Sequence, residues 1–437
     1  MKLKNMITTF MVGAFLFTGA AYAGDVDILL NKLVEKNILT KEEAKGLSDE
    51  MKKDGEKKVT AGEGKEGFEL PKWIKNTEVK GDVRVRYQSQ DTNNDGKVSR
   101  DRGRIRARLG VVSKPNDKWE GAIGLATGGS DPRSTNQTLE NTFQTPDIRL
   151  DYAYAKYSPN KVVTIMAGKM ANPIWGTKDL LWDTDIYPDG LAAALNFKIN
   201  DNFEIFATPA YFLLDEYSSS KSDPYMTVLQ SGIKTKVNKN IDLKFAAAYY
   251  NFSHMEGNDF SEFSSGTNST IKTTTPGVLV EDDPVRGDYI TAPTTITRWV
   301  NEYDGITLDG EIGFKMPESI KYVETLSLFG QYVNSDADTD NTGFLYGVNF
   351  GDKSVKEAKD WQVKINYRKL ERDAWADFMP DSDFYNGATN VKGMEYELTV
   401  GLAKNISLGL DYYHARPILG NTTRKEGLFQ ADLVVKY

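Results

Sequence analysis

The 437-residue sequence has no cysteine and only two histidines. Without cysteine there are no disulfides, no zinc–thiolate sites and no haem attached through Cys-x-x-Cys-His. The two histidines, His254 and His414, sit just beyond strand ends without a recognisable serine or aspartate partner. They are too few for a transition-metal site and form no recognisable catalytic set. No catalytic residue, metal site or cofactor is expected. Asp91, Asn93, Asp95 and Gly96 match the opening of a calcium loop, but Arg102 stands at the twelfth position where a chelating glutamate belongs.

Long apolar runs are also missing. After the first 23 residues there is no uninterrupted apolar run of ~18 residues, so the chain cannot cross a bilayer as a helix. Any crossing requires closed β-structure, the only other way to satisfy every backbone group in lipid. Nor is there an excess of positive charge. The formal net charge of −8 argues against nucleic acid as a partner.

What the sequence does have is alternation. In the last eleven residues Phe429, Ala431, Leu433, Val435 and Tyr437 alternate with Leu428, Gln430, Asp432, Val434 and Lys436. A period of two over such a length suits a strand with lipid on one side and water on the other. The same pattern holds from Trp73 to the end and marks about sixteen strands, the first at 79–88 and the last at 427–437. The connections alternate between short turns and long loops, the longest being 128–147, 171–190, 254–303 and 373–393. That alternation predicts an all-β fold, a transmembrane antiparallel up-and-down barrel with both chain ends on the short-turn side.

Before the barrel, Lys2 and Lys4, an apolar stretch and Ala21-Tyr22-Ala23 read as a cleaved export signal over 1–23. Residues 24–53 carry apolar positions at helical spacing, with Thr40 and Glu43 as a capping box, and predict a short periplasmic helical hairpin. Residues 54–72, rich in Gly, Lys and Glu, read as a linker. The barrel is expected over 73–437.

Strand phase assigns the charges. Arg84 and Arg86 of the first strand and Arg104, Arg106 and Arg108 of the second fall on the inner face, joined by Arg149, Asp151, Lys364 and Arg368. A charge is tolerated there because it meets pore water rather than lipid. Loop 171–190 is acidic, with Asp179, Asp183, Asp185 and Asp189 beside Trp175 and Trp182. If it folds inward, acids would face a basic ladder across a constriction and set ion selectivity. Inward bases slightly outnumber acids on the wall, which predicts a weak anion preference. The inward phase of Phe206, Phe212, Tyr250, Phe329 and Tyr413 leaves open a substrate-specific channel with an aromatic track. The long loop 254–303 leaves open a plugged barrel that serves as a scaffold or binding protein.

The runs Gly81-Asp82-Val83-Arg84-Val85-Arg86-Tyr87, Arg104-Ile105-Arg106-Ala107-Arg108-Leu109-Gly110, Leu150-Asp151-Tyr152-Ala153-Tyr154 and Ala167-Gly168-Lys169-Met170-Ala171-Asn172-Pro173 resemble the putative porins of Gram-negative bacteria. Leu39-Thr40-Lys41-Glu42-Glu43-Ala44 is similar to that family's N-terminus. The resemblance implies an outer-membrane porin passing small hydrophilic solutes and ions by passive diffusion, embedded in lipid and lipopolysaccharide, with both termini periplasmic. It also implies recognition by the outer-membrane barrel-assembly machinery through the final strand ending in Tyr437. By likeness to general porins, it implies an inward third loop and a homotrimer.

Overall fold

The computed structural model describes residues 40, 42, 45, 76–93, 98–176, 180–218, 222–258, 263–276, 279–280, 289–290 and 294–437. The chain divides into two units, Met1–Pro71 and Lys72–Tyr437. Of the first unit only Thr40, Glu42 and Lys45 are described. The export signal, nearly all of the helical hairpin and the linker lie outside the described residues, as does Asp179.

The second unit is built of strands: β1 (Thr77–Asn93), β2 (Arg100–Asn116), β3 (Trp119–Ala126), β4 (Gln137–Thr138), β5 (Arg149–Tyr157), β6 (Val163–Lys169) and β7 (Asp189–Asn200). There follow β8 (Phe203–Leu213), β9 (Tyr225–Asn238), β10 (Ile241–Ser253), β11 (Thr270–Thr275), β12 (Leu279–Val280), β13 (Tyr289–Ile290) and β14 (Thr294–Trp299). The last are β15 (Gly305–Lys315), β16 (Thr325–Ser335), β17 (Thr342–Gly351), β18 (Trp361–Leu370), β19 (Val391–Ala403), β20 (Ile406–Pro417) and β21 (Lys425–Lys436). β4 is a two-residue stub that pairs with β2 beyond the end of β3. β11 with β14 and β12 with β13 form two small two-stranded sheets inside the longest loop, which the sequence pattern left as loop. The remaining sixteen strands make the wall, each antiparallel to its chain neighbour, and β21 returns to pair with β1. Closure removes every unpaired edge, so the backbone needs no water at membrane depth.

Tyr437 fastens this seam. Gly81 donates to the Tyr437 carbonyl oxygen and accepts from the Tyr437 amide, both at 3.0 Å. The tyrosine ring lies over Gly81, where a Cβ would stand 2.5 Å from a ring carbon. Along the register Val83 meets Val435 and Val85 meets Leu433 on the outer face, while Arg84 and Arg86 share the inner face with Val434 and Asp432. The outer face repeats this composition around the wall, with Leu109, Ile123, Leu229, Leu308 and Leu328 exposed. In water such a surface would aggregate, whereas against lipid it costs nothing.

The wall is uneven in height. β1 and β2 have 17 residues each, but β3 has 8, β5 has 9 and β6 has 7. Where β6 stops, the chain turns into the barrel. Gly168 and Gly190 pair in register there with φ of +113° and +150°, and a Cβ on either would stand 2.4 and 2.1 Å from a neighbouring carbonyl oxygen. Only glycine lets the backbone leave the wall at this point.

Candidate functional site

Two loops fill much of the lumen. Residues between β6 and β7 and between β18 and β19 pack against each other and against the inner wall in one buried apolar cluster that includes Met170, Leu181, Phe212, Tyr250, Trp375 and Met379. Trp375 is its centre. It is wholly buried, sits edge-on to Tyr250 and Phe252 with ring centroids at 4.8 and 5.3 Å, and donates from Nε1 to the Leu181 carbonyl oxygen at 2.8 Å. The Asp183 amide donates to the Met379 carbonyl oxygen at 2.7 Å, which joins the two loops directly. The inward aromatics thus have a packing role: Phe206 and Phe212 meet Trp175 and Trp182 edge-on, and Tyr413 meets Phe384.

The second loop is clasped from outside. Asp377, fully buried, accepts from Ser264 Oγ at 2.8 Å, the Thr267 amide at 2.7 Å and the Asn268 amide at 3.2 Å, all from the loop between β10 and β15. Its carbonyl oxygen accepts from Arg133 at 3.2 Å, and Ser382 Oγ donates to the Arg133 carbonyl oxygen at 2.9 Å. A buried carboxylate with three donors is well satisfied; stripped of them it would be costly.

The apolar packing occupies one side of the lumen, and a cavity of 420 Å³ lies on the other. It is bounded by the inner faces of β1, β2 and β18 to β21, and by Asp183–Asp185 and Asp381–Asp383 of the two loops. Here the structure places Arg84, Arg86, Arg106 and Arg108 of the ladder, together with Lys364. Each of these four arginines has a carboxylate. Arg106 and Arg108 both bind Asp82, at 2.8 and 2.7 Å, and Arg108 reaches Asp185 of the β6–β7 loop at 3.5 Å. Arg86 makes a two-pronged contact with Asp432 at 2.7 Å on each arm and a third with Asp383 at 3.0 Å, while Arg84 reaches Asp432 at 3.4 Å. Arg368 binds Asp381 at 3.1 Å and also Glu395, and stacks over the Phe384 ring at 4.1 Å. Lys364 lies between Glu395 and Glu397 at 2.8 and 2.9 Å. Such pairs fix loops and wall in one arrangement, since a buried charge without its partner costs several kcal/mol.

Arg104 stands one step nearer the long-loop end and donates to Gln88 and to the Asn136 carbonyl oxygen. Asp151 sits at a register shift between β3 and β5, an extra residue at which strand alternation breaks down. Two of the sequence-derived residues lie elsewhere. Arg149, about half exposed, holds the Gly128 carbonyl oxygen and Asp147 at a strand end, and Asp189 pairs with Lys169 at 2.9 Å. Neither touches the ladder: Arg149 is the first residue of β5, where strand phase no longer fixes direction, and Asp189, expected in the acidic loop, is the first residue of β7.

Sequence reasoning passed over the β18–β19 loop, including Trp375, Asp377, Asp381 and Asp383. A signal was present. Ala374-Trp375-Ala376 and Phe378-Met379-Pro380, interleaved with aspartates, are too apolar for a solvated loop, and their carboxylates are spaced to meet partners.

In the β6–β7 loop the Asp183 carboxyl is raised well above the usual carboxylate range, first by burial and then by the neighbouring Asp381 and Asp185. Asp383 behaves oppositely: burial pushes it up, but the charge and hydrogen bond of Arg86, with smaller help from Gln430 and Arg84, together outweigh this and hold it low.

A closed barrel, apolar outside, with a charged cavity of 420 Å³ inside, defines a membrane channel of the β-barrel class. The family described as Putative porin has a model that matches residues 91–279 and 309–437, and the chain belongs to that family. It is an outer-membrane channel. No curated protein matches the chain. Among solved structures, Pseudomonas putida OprB at high pH is similar at 12% identity, over 85% of this chain and 100% of that one, with a TM-score of 0.49. The outer membrane channel DcaP of Acinetobacter baumannii is similar at 13% identity, over 84% and 99%, with a TM-score of 0.44. A triple mutant of the Rhodopseudomonas blastica porin is similar at 10% identity, over 83% and 100%, with a TM-score of 0.43.

Proposed function

We propose that the protein is a porin through which small hydrophilic solutes and ions diffuse passively, and that its constriction lies where Asp183, Asp185, Asp381 and Asp383 face the ladder of Arg84, Arg86, Arg106 and Arg108. The observation that carries this is the 420 Å³ cavity, lined by charge within a closed wall. Charges on both sides of a narrow, low-dielectric passage act on a solute with little screening. The lumen-filling loops narrow the passage and favour small solutes. That same filling supports a second reading, a substrate-specific channel or a plugged barrel acting as a scaffold.

In this reading the export signal is removed, both termini are periplasmic, lipid and lipopolysaccharide surround the apolar band, and the pore works as a homotrimer. The β21 strand with Tyr437 offers the end that the assembly machinery would recognise. Purified protein in liposomes tests the pore. Swelling should be fast in small neutral sugars and amino acids and slow steeply with solute size. Swelling in one solute class alone would favour the specific channel, and none from folded protein would favour the scaffold.

Asp183 adds a pH dependence. Its carboxyl is raised in the folded loop, so seating the loop with Asp183 ionised is costly, and that cost disappears as the group takes up its proton. The loop is therefore held most firmly below the ordinary carboxylate range and loosens as pH rises through the raised value. Conductance should fall reversibly on acidification, and Asp183→Asn should remove most of that change in a pH titration of single channels.

A further inference from the structure

We infer that the outer wall from β2 to β8 is an interface between copies of this chain, in which Phe143 of one copy enters a groove between β6 and β8 of the next. This rests on the homotrimer of the reading above and names the surface that builds it. The first observation is a break in the aromatic girdle. On β1, β8, β10, β16, β17 and β19 to β21 an exposed tyrosine or phenylalanine stands in the strand half nearer the long loops, Tyr87, Tyr211 and Tyr412 among them. Such rings sit where lipid gives way to water. Among the described residues, β2, β3, β5, β6 and β7 carry no outward ring at that end. Tyr152 and Tyr154 of β5 face inward, and Trp119, Tyr157 and Phe197 stand at the short-turn ends. The bare sector is small and aliphatic instead: Ala107, Ala153, Ala193 and Ala167 share the outer face with their exposed register partners Val83, Ile123, Ile165 and Leu191. Small side chains let a second wall approach closely, and a sector covered by protein needs no anchor at a lipid boundary.

The second observation is a knob and a groove at opposite edges of this sector. At the β2 edge Leu139 lies over Gly103, the register partner of Tyr87, and its amide donates to the Gly103 carbonyl oxygen at 2.9 Å. The turn that follows holds Asn141, Thr142 and Phe143 in the left-handed region, at φ of 53°, 55° and 66°. Such a backbone is strained for threonine and phenylalanine, and it leaves Phe143 99% exposed. Asn141 Nδ2 donates to Gln144 Oε1 at 2.7 Å and braces the turn. At the other edge a groove of 380 Å³ opens on the outer face where Gly168 and Gly190 have no side chains, walled by the exposed Leu191, Tyr211 and Leu213. Tyr87 and Tyr211 both belong to the girdle, so knob and groove border it at the two ends of its gap. A knob at one edge and a groove at the other make a head-to-tail contact, which closes into a ring when the rotation permits. Lipid in the groove would leave Phe143 uncovered, whereas a second copy buries both.

Because the chain has no cysteine, a pair of introduced cysteines reports the contact. The full chain carrying both Phe143→Cys and Leu213→Cys, oxidised in outer-membrane vesicles and run without reductant, should form a covalent ladder that stops at three copies. Each single variant should stay at one copy. Phe143→Asp, a change confined to an exposed turn, should convert the native oligomer to folded monomers in detergent, read by light scattering. A ladder that stops at another number keeps this interface and overturns the trimer. No ladder from the folded double variant, dimers from either single variant, or an oligomer unchanged in Phe143→Asp would overturn the interface and leave the groove to lipid. Conductance of the native protein decides the pore reading independently of all of these.

Discussion

Trp375→Ala should raise single-channel conductance several-fold. Trp375 ties the β18–β19 loop both to the wall, through Tyr250 and Phe252, and to the β6–β7 loop, through the Leu181 carbonyl oxygen. Truncating a buried tryptophan costs about 3–5 kcal/mol, part of it the cavity left behind. The strand ladder is not touched by the change, so the loss falls on the loops. They should spend more time withdrawn from the lumen, and limited proteolysis should cut within 371–390 more readily than in the native protein. Unchanged conductance with the loop freed would mean that these loops do not narrow the path.

Arg86→Ala should lower stability by about 3–5 kcal/mol, because it removes the two-pronged partner of buried Asp432, leaving it only Arg84 at 3.4 Å, and takes the ion pair from half-buried Asp383. Both losses matter. Asp432 belongs to the closing strand β21, so the seam weakens, and Asp383 belongs to the inward loop, so its hold on the wall is lost. Arg149→Ala, on a half-exposed residue that pairs with Asp147 at 3.8 Å, should change stability by less than about 1 kcal/mol. Unfolding midpoints of the two variants in denaturant provide the comparison. Equal midpoints would show that the ladder pairs are solvated and replaceable.

The barrel was legible because its rule is local. Each strand states its own phase through alternation, and a charge facing lipid is forbidden strongly enough that phase decides which way Arg84 or Arg106 points. All sixteen wall strands were therefore placed in order from the sequence, and the closing role of the last strand followed from its pattern. Phase fails where the strand ends, and Arg149 stands at such an end; Asp189, read as part of the acidic loop, is instead the first residue of β7. Asp151 sits at a register shift, a one-residue change that alternation cannot reveal.

Loop conformation was legible only in part. The acidic, tryptophan-bearing character of 171–190 was visible, but its position depends on Trp375, two hundred residues away in the chain. The clasp on Asp377 draws on Ser264, Thr267 and Asn268 of a loop that reads as polar and featureless. Such contacts have no sequence period and arise only once the closed wall brings the loops together. Selectivity was hidden for a related reason. Counting inward charges gave a basic surplus, but the pairing of each arginine with a particular aspartate decides how much of that charge a solute meets.

Single-channel recording of the purified, folded native protein in a planar bilayer bears most directly on the channel itself. A loop-narrowed, water-filled path predicts steady, small openings whose conductance rises with salt and falls at acid pH. Folded protein that inserts and never conducts would show that the cavity does not continue through the barrel.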